Sequence, residues 1–468
     1  MQLPVIDARE APASPPSDAP RRGSFAVVSL GCPKNLVDSE RMLGLLRDDG
    51  WEMVASPQGA DMVVVNTCAF LEASRAESYA AVREMTALKA AGGTRGVVVA
   101  GCLAERQKEA LLAELPGVDA VIGVFSREEI ARTAERLVGG LAEQRSVFRP
   151  APAVAAADTG RLRVTPRHVA YLKISEGCDR TCTFCSIPRM RGRHASKPLE
   201  AVVAEAAELA RDGVKELVIV AQDTTYYGID LYGEPRLADL LEALEGVPGL
   251  EWIRLMYLYP IHFSDRLIER IAGSSRILPY LDLPLQHASD AVLKRMQRRV
   301  NRAATEELLG KLRERIPALV LRTTMITGFP GETEAQFAEL VDFVERWRFE
   351  RVGVFPYSFE PDTPSARLDG HLAEAVKLAR RDQLMQRQQR IAHEHAAAQV
   401  GRTLGCIVDA ASDERADVWI GRTAADAPDI DCVVYITAQP GGRRPAAGEI
   451  LPVEIVASAG YDLAGVPA

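Results

Sequence analysis

Residues 174–188 read I-S-E-G-C-D-R-T-C-T-F-C-S-I-P and place three cysteines close together. Cys178, Cys182 and Cys185 have the spacing C-x3-C-x2-C, and no fourth Cys or His lies nearby in the sequence. A structural zinc ion takes a closed tetrahedral set of ligands, usually from C-x2-C pairs. An iron–sulfur cluster is normally held by four thiolates. Three thiolates at one centre would leave one iron open to another ligand, so the spacing favours a cluster with an open position.

This spacing resembles that of the radical S-adenosylmethionine (SAM) enzymes, and Phe184 fills the aromatic position before the third cysteine. The resemblance implies that the open iron is chelated by the amino and carboxylate groups of SAM. A zinc site and a chance clustering of cysteines are the two alternatives that the residues alone leave open.

The bulk composition predicts a cytoplasmic protein of several domains. The chain has 468 residues, 47% of them hydrophobic, which exceeds the usual size of one domain. No apolar run approaches the roughly 18 residues that a membrane span needs. Residues 1–23 are rich in Pro, Ala and Asp, and they predict a disordered tail instead of a signal peptide. Eight cysteines in such a chain favour reduced thiols that bind metal. The net charge of −8 disfavours a large surface for binding nucleic acid.

Residues 24–145 predict a doubly wound α/β domain with a parallel sheet. Continuous apolar runs of strand length alternate here with helical patterns, as in sheets covered on both faces. The predicted strands are 25–31, 62–67, 96–101 and 118–123, and the predicted helices include 36–49, 70–91 and 104–115.

Three further segments follow. Residues 146–164 include a Pro/Ala-rich stretch and predict a linker. Residues 165–399 contain a second βα series, which predicts a partial (βα)6 barrel with its chemistry at the carboxyl ends of the strands. Residues 400–468 contain short β-type runs between Gly, Pro and Asp, which predict a small all-β barrel. The predicted barrel strands are 169–174, 216–222, 251–258, 280–286, 318–327 and 351–357.

Three more cysteines, Cys32, Cys68 and Cys102, each fall at the carboxyl end of a predicted parallel strand. Ligands gather at that edge of open α/β sheets, and neighbouring strands lie only ~4.8 Å apart. A single isolated cysteine is well explained as a small buried hydrophobe. That explanation does not account for three equivalent positions, so we predict a second three-cysteine site. Cys406 and Cys432 have no partners at ligand spacing and are predicted to be core residues.

The sequence resembles the methylthiotransferases, a branch of the radical SAM enzymes, over nearly all of residues 24–468. The resemblance rests on S-L-G-C-P-K-N-L-V-D-S-E (29–40), N-T-C (66–68), G-C-L-A-E-R (101–106), L-P-L-Q-H-A-S-D (283–290) and T-M-I-T-G-F-P-G-E-T (324–333). It implies an auxiliary 4Fe–4S cluster on the first domain, a radical SAM barrel, and a C-terminal TRAM barrel.

Four stretches, the first of them part of the 29–40 motif, resemble the branch that methylthiolates an aspartate of small-subunit ribosomal protein S twelve. They are C-P-K-N-L-V-D-S-E (32–40), R-M-R-G-R-H-A-S-K-P (189–198), A-Q-D-T-T-Y-Y-G (221–228) and D-A-P-D-I-D (426–431). Charge is an independent indication, since residues 401–468 hold five arginines and ten acidic residues. An acidic surface suits a basic protein substrate better than tRNA. A tRNA adenosine methylthiotransferase and a non-catalytic, zinc-stabilised RNA-binding adaptor remain the alternatives.

The resemblance also implies the cofactors and the partners. Cys178, Cys182 and Cys185 would hold the cluster that binds and reductively cleaves SAM, and Cys32, Cys68 and Cys102 would hold the cluster that presents sulfur. An electron donor such as flavodoxin or ferredoxin would supply the electrons, and the substrate could be met on the small ribosomal subunit. No catalytic residue beyond the cluster ligands is assigned. The predicted SAM contacts are Gln222, Gln286, Gly328, Pro330 and Gly331.

Overall fold

The computed structural model describes residues 22–140, 145–438 and 443–468. Residues 1–21 of the predicted tail therefore lie outside the described residues. Within the described ranges, no helix has the length and apolar character that crossing a membrane requires.

The N-terminal part is a six-stranded parallel sheet with the order β2-β1-β3-β4-β5-β6. Its central strands are rich in valine and buried on both faces, and two separate hydrophobic cores cover those faces. Strands β1, β3 and β4 are direct neighbours, so their carboxyl ends meet at one edge. The elements are β1 (Gly23–Ser29), α1 (Pro33–Asp48), β2 (Trp51–Met53), β3 (Met62–Thr67), α2 (Glu72–Ala90), β4 (Gly96–Gly101), α3 (Cys102–Gln107), α4 (Ala110–Glu114), β5 (Ala120–Ile122), α5 (Ile130–Val138) and β6 (Ser146–Val147).

The central part is an open six-stranded parallel sheet with the order β7-β10-β11-β12-β13-β14, wrapped by helices. The predicted partial barrel is thus confirmed. Among its helices, α13 begins with a full capping box at Thr333. The elements are β7 (Val169–Lys173), β8 (Ser175–Glu176), α6 (Ile187–Arg191), β9 (Ala195–Ser196), α7 (Leu199–Arg211), β10 (Glu216–Val220), α8 (Ile229–Tyr232), α9 (Leu237–Glu245), β11 (Trp252–Leu255), α10 (Asp265–Gly273), β12 (Ile277–Asp282), α11 (Asp290–Arg295), α12 (Arg302–Arg315), β13 (Val320–Thr327), α13 (Glu334–Trp347), β14 (Arg351–Pro356) and α14 (Glu374–Ala397).

The C-terminal part is a closed five-stranded barrel with the order β15-β16-β17-β19-β18. Closure leaves this small sheet without free edges. Cys406 is fully buried in its core, whereas Cys432 precedes β17 and is only half-buried. The elements are β15 (Thr403–Ala411), β16 (Val418–Thr423), β17 (Val434–Thr437), β18 (Ile450–Ala459) and β19 (Asp462–Pro467).

The predicted linker, 146–164, is packed against its neighbours. Its first residues form β6, the edge strand of the first sheet. Asp158 is completely buried and pairs with Lys197 at 2.8 Å, and Arg161 reaches Glu40 at 3.2 Å. The stretch therefore joins the first sheet to the barrel through buried ion pairs. The predicted domain boundaries themselves stay predictions.

The acidic motif at 426–431 lies at the junction between the two barrels. Asp426 accepts a hydrogen bond of 2.6 Å from Arg351 on β14, and Asp431 accepts one of 2.7 Å from the Tyr280 hydroxyl on β12. Both aspartates are withdrawn from solvent, and of the three acids in the motif Asp429 is the exposed one. Two of these carboxylates therefore hold the TRAM barrel on the central sheet and are not part of an outward acidic surface.

Candidate functional site

The first cysteine trio lies at the shared edge of β1, β3 and β4. Cys32 follows β1 and occupies the position that precedes α1, Cys68 directly follows β3, and Cys102 is the first residue of α3 after β4. The Cys32 and Cys68 loops touch, because a Cβ added at Gly31, whose φ is +98°, would lie 2.9 Å from the Cβ of Cys68. Glycine is therefore required at 31 by both conformation and space.

The second trio lies in the loop between β8 and α6. The amide of Cys185 donates to the carbonyl of Cys182 at 3.1 Å, so these two thiols share one tight turn. Gly177 precedes the trio with φ +72°, and a Cβ there would meet the carbonyl oxygen of Arg193 at 2.1 Å. Phe184 packs edge to face on Phe329 at 6.4 Å between ring centroids, which anchors the loop in a small apolar cluster.

One cavity of about 750 Å³ contains both trios. Its wall includes all six predicted cysteines together with Gln222 and Gln286. The cavity lies where the edge of the first sheet faces the carboxyl ends of the barrel strands. The fold thus brings two sets of thiols, which are far apart in sequence, to the same enclosed space.

The two glutamines occupy constrained positions. Gln222 donates from Nε2 to Glu176 at 3.1 Å, while its buried Oε1 has no hydrogen-bond partner among the described residues. Gln286 has φ +76° and is held by backbone hydrogen bonds to β13 on both sides. A positive φ at a residue other than glycine is a strain that surrounding structure must maintain, and such residues cluster at functional sites.

Gly328, Pro330 and Gly331 lie outside the residues that line the cavity. They form a turn after β13 that packs on α11 and α14: a Cβ at Gly328 would meet Lys377 at 2.2 Å, and the carbonyl of Pro330 accepts from Arg295. Their assignment as SAM contacts remains a prediction, and turn packing accounts for both glycines.

Burial raises the pKa of the thiols of Cys68, Cys102, Cys178 and Cys185, to about 12 for Cys102 and Cys178. Within each trio, the charge on a neighbouring thiolate raises the pKa of the others further. Cys32 is the exception. Its burial also disfavours the thiolate, but the positive charges of Lys34 and Arg191 prevail and lower the pKa of this thiol. A positively charged metal group would offset both the burial and the repulsion that raise the pKa of these thiols.

The donor set fits an iron–sulfur cluster better than one zinc ion. A zinc ion needs its thiolate sulfurs at ~2.3 Å, all converging on one point. Across the described ranges, no three His, Cys, Asp or Glu side chains are grouped so as to hold a single metal ion. Each trio offers three thiols to one cavity, a number that leaves one iron of a cluster open to another ligand.

A buried ion network lies behind Arg191, which lines the cavity. Arg191 donates to Glu176 and to Asp38, both at 2.9 Å, and Lys173 bonds the same two carboxylates. Although burial disfavours its charge, the neighbouring thiolate of Cys102 and these acids raise the pKa of Arg191. Asp38 belongs to α1, whereas the other three residues belong to the barrel. The sequence placed Arg191 in the 189–198 motif but did not reveal these contacts, because Asp38 lies far away along the chain.

Lys34 is a functional candidate that the sequence motif contained but did not single out. It is 6% exposed, lines the cavity, and its ammonium lies 3.1 Å from the ring centroid of Tyr257. Burial lowers the pKa of this ammonium. No hydrogen bond or ion pair joins it to a carboxylate of the described chain. A cation so placed is available to an anion that enters the cavity.

Comparison with known protein families defines the class. The profile of uncharacterized protein family UPF0004 matches residues 24–123, that of the radical SAM superfamily residues 172–344, and that of the TRAM domain residues 400–467. Among solved structures, the radical SAM methyltransferase TsrM from Kitasatospora setae superposes with a TM-score of 0.52 at 17% identity, over 74% of each chain. That likeness shows the fold alone. The match to the radical SAM profile, together with the cysteine loop after the first barrel strand, places the chain among the radical SAM enzymes.

Curated relatives identify the family within that class. The ribosomal protein uS12 methylthiotransferase RimO of Lachnoclostridium phytofermentans is 44% identical over 94% of this chain and 98% of its own length. The RimO protein of Anaeromyxobacter sp. strain Fw109-5 is 46% identical over 93% and 91%. The chain belongs to the RimO family of radical SAM methylthiotransferases. The predicted resemblance is confirmed, and the predicted enzyme class with it.

Proposed function

We propose that the chain methylthiolates the β-carbon of an aspartate in small-subunit ribosomal protein uS12, using SAM and two 4Fe–4S clusters. The carrying observation is the single cavity whose wall holds both cysteine trios. Membership in a family whose curated members are named for uS12 supports the choice of substrate.

The residues divide the work between the two halves of the cavity. Cys178, Cys182 and Cys185 would hold one cluster, and Cys32, Cys68 and Cys102 the other. When bound, these groups supply one-electron cleavage of SAM on one side and a sulfur-bearing iron on the other. The chain itself would hold the two centres on one cavity, exclude water, and position SAM and the substrate. Gln222 and Gln286 would contact SAM, and the cavity wall between the trios would receive the aspartate.

The proposal includes the cellular setting. uS12 is a ribosomal protein, so the enzyme would act in the cytoplasm, on free uS12 or on the small subunit. An electron donor such as flavodoxin or ferredoxin would reduce the barrel cluster.

The mass of uS12 tests the substrate assignment. Replacing one hydrogen by a methylthio group adds about 46 Da, a covalent change visible in the intact protein. We expect uS12 from cells carrying the gene to show this increment and uS12 from a deletion strain to lack it. Transfer RNA from the same strains serves as the comparison. A methylthio group that is missing from tRNA of the deletion strain, with uS12 unchanged, would contradict the proposal.

Lys34 is expected to bind the carboxylate of the target aspartate. A charged hydrogen bond of this kind is worth about 1.5–3 kcal/mol, so Lys34→Met should weaken productive binding of uS12 by about 10- to 100-fold. The measurements are the KM for uS12 and the equilibrium affinity of uS12 for the enzyme. Lys34→Arg, which keeps the charge, should recover part of the loss.

Two controls separate this role from a structural one. SAM cleavage without uS12 should stay at the wild-type level in Lys34→Met, because it depends on the barrel trio, and Lys34→Arg should keep the iron content because it keeps the positive charge beside Cys32. A uS12 variant with the target aspartate changed to asparagine should bind the wild-type enzyme weakly. It should bind Lys34→Met with the same weak affinity, because the carboxylate that Lys34 would contact is already gone. If Lys34→Met binds normal uS12 as tightly as the wild type does, Lys34 is not the anchor.

A further inference from the structure

A second, smaller hollow of about 500 Å³ opens on the outer surface beside the barrel cysteines. It is lined by Thr181, which is exposed and adjoins Cys182, by Asp290 at the start of α11, and by residues at and after the end of that helix. Its basic lining residues are Lys294, Arg298 and Arg299. We call this hollow the outer groove.

Arg298 forms the partition between the outer groove and the cavity, because it lines both. Its Nη1 lies 3.6 Å from the sulfur of Cys182, and its guanidinium stacks on the ring of Tyr259 at 4.1 Å. Its Nε is buried without a hydrogen-bond partner in the described chain. One side chain thus separates the outer surface from a thiol of the barrel trio.

The lining of the outer groove carries three basic side chains and one acidic side chain, so its charge balance is positive. Lys294 and Arg299 are exposed, and neither side chain makes an ion pair with another described residue. Their neighbours differ: Arg295 pairs with Asp369 at 2.7 Å and Arg302 with Glu306 at 2.9 Å. The acid in the groove, Asp290, accepts a hydrogen bond of 2.6 Å from the amide of Arg302.

We infer that the outer groove is the docking site of an acidic one-electron carrier protein. The inference rests on the proposed function, since a cluster on Cys178, Cys182 and Cys185 must receive one electron for each SAM that it cleaves. The reduced carrier is oxidised by one electron, and that electron breaks one sulfur–carbon bond of SAM. Lys294 and Arg299 would attract the carrier. The carrier would come nearest to the barrel trio at Arg298, which contacts Cys182.

The size and chemistry of the groove favour this partner over RNA. Encounters between electron-transfer proteins bury little surface, often less than about 1,200 Å², and complementary charge steers them. Binding of single-stranded RNA relies on a longer basic track with aromatic side chains on which bases stack. The residues that line the outer groove include no aromatic side chain.

The test uses the full chain with both clusters reconstituted and carries Lys294→Glu and Arg299→Glu together. Release of 5′-deoxyadenosine is measured with reduced flavodoxin and, in parallel, with dithionite, a small reductant that needs no docking site. Flavodoxin binding to the chain is measured separately. We expect the rate with flavodoxin and the affinity for flavodoxin to fall roughly tenfold or more at low salt, with the dithionite rate unchanged. Arg444→Glu, a reversal of an exposed base on the TRAM barrel, is the control and should change neither.

The outcomes are distinguishable. An unchanged flavodoxin rate and affinity in the double variant would overturn the inference. So would an equal loss with dithionite at normal iron content, because the groove would then belong to the catalytic centre. Loss of RNA binding with flavodoxin binding intact would assign the groove to RNA instead. If the wild-type chain releases no 5′-deoxyadenosine even with dithionite, the proposed function fails, and the flavodoxin affinities alone then decide on the groove.

Discussion

Replacing Cys178, Cys182 and Cys185 together by alanine is expected to abolish SAM cleavage and to leave about four irons per chain where the wild type holds about eight. The physical reason is that these thiols share one loop, so no neighbouring thiol of that loop remains to retain the cluster. Iron analysis after anaerobic reconstitution and the release of 5′-deoxyadenosine with dithionite are the two measurements.

Cys432→Ala is the matched control for this variant. Cys432 is half-buried like Cys182 and Cys185 but lies in the TRAM barrel, away from the cavity. It should retain the wild-type iron content and the wild-type rate of SAM cleavage. Continued release of 5′-deoxyadenosine by the triple variant would show that the SAM site has been wrongly assigned.

Replacing Cys32, Cys68 and Cys102 by alanine should produce the complementary defect. SAM cleavage should continue, because the barrel trio and Gln286 are untouched, while transfer of the methylthio group to uS12 should disappear. About four irons should again remain. The measurements are iron content, 5′-deoxyadenosine and the mass of uS12 from one reaction mixture.

The three thiols of this trio differ in how readily they lose their protons. Cys32 is the thiol that Lys34 and Arg191 favour as thiolate, so the single variant Cys32→Ala should lose more iron than Cys68→Ala. A folded triple variant that holds about four irons yet cleaves no SAM would argue against separate roles for the two trios.

The strands and the positions of the six cysteines in the fold could be predicted because both signals are local. Valine-rich runs mark β3 and β4, and each cysteine directly follows a strand or lies in one short loop. The parallel order of the sheet then determines which strand ends meet. Gln222 and Gln286 could be placed at strand ends for the same reason.

What could not be predicted depends on partners that are distant along the chain. Asp426 and Asp431 look like part of an acidic surface until Arg351 and Tyr280 are placed beside them. Composition also suggested a loose linker where Asp158 is completely buried. A count of charges does not distinguish a carboxylate that faces water from one that faces an arginine, and the difference lies entirely in tertiary packing.

The ion network around Asp38 has a consequence for how this protein can be taken apart and recombined. Its acid comes from α1, while its cations Lys173 and Arg191 come from the barrel. Removing one partner of a buried ion pair leaves an uncompensated charge and is strongly destabilising. A chimera that joined this N-terminal sheet to a barrel without these cations would therefore bury the Asp38 carboxylate without its partners. An exchange of modules into or out of this chain would have to carry the partners of Asp38 along with the cysteines.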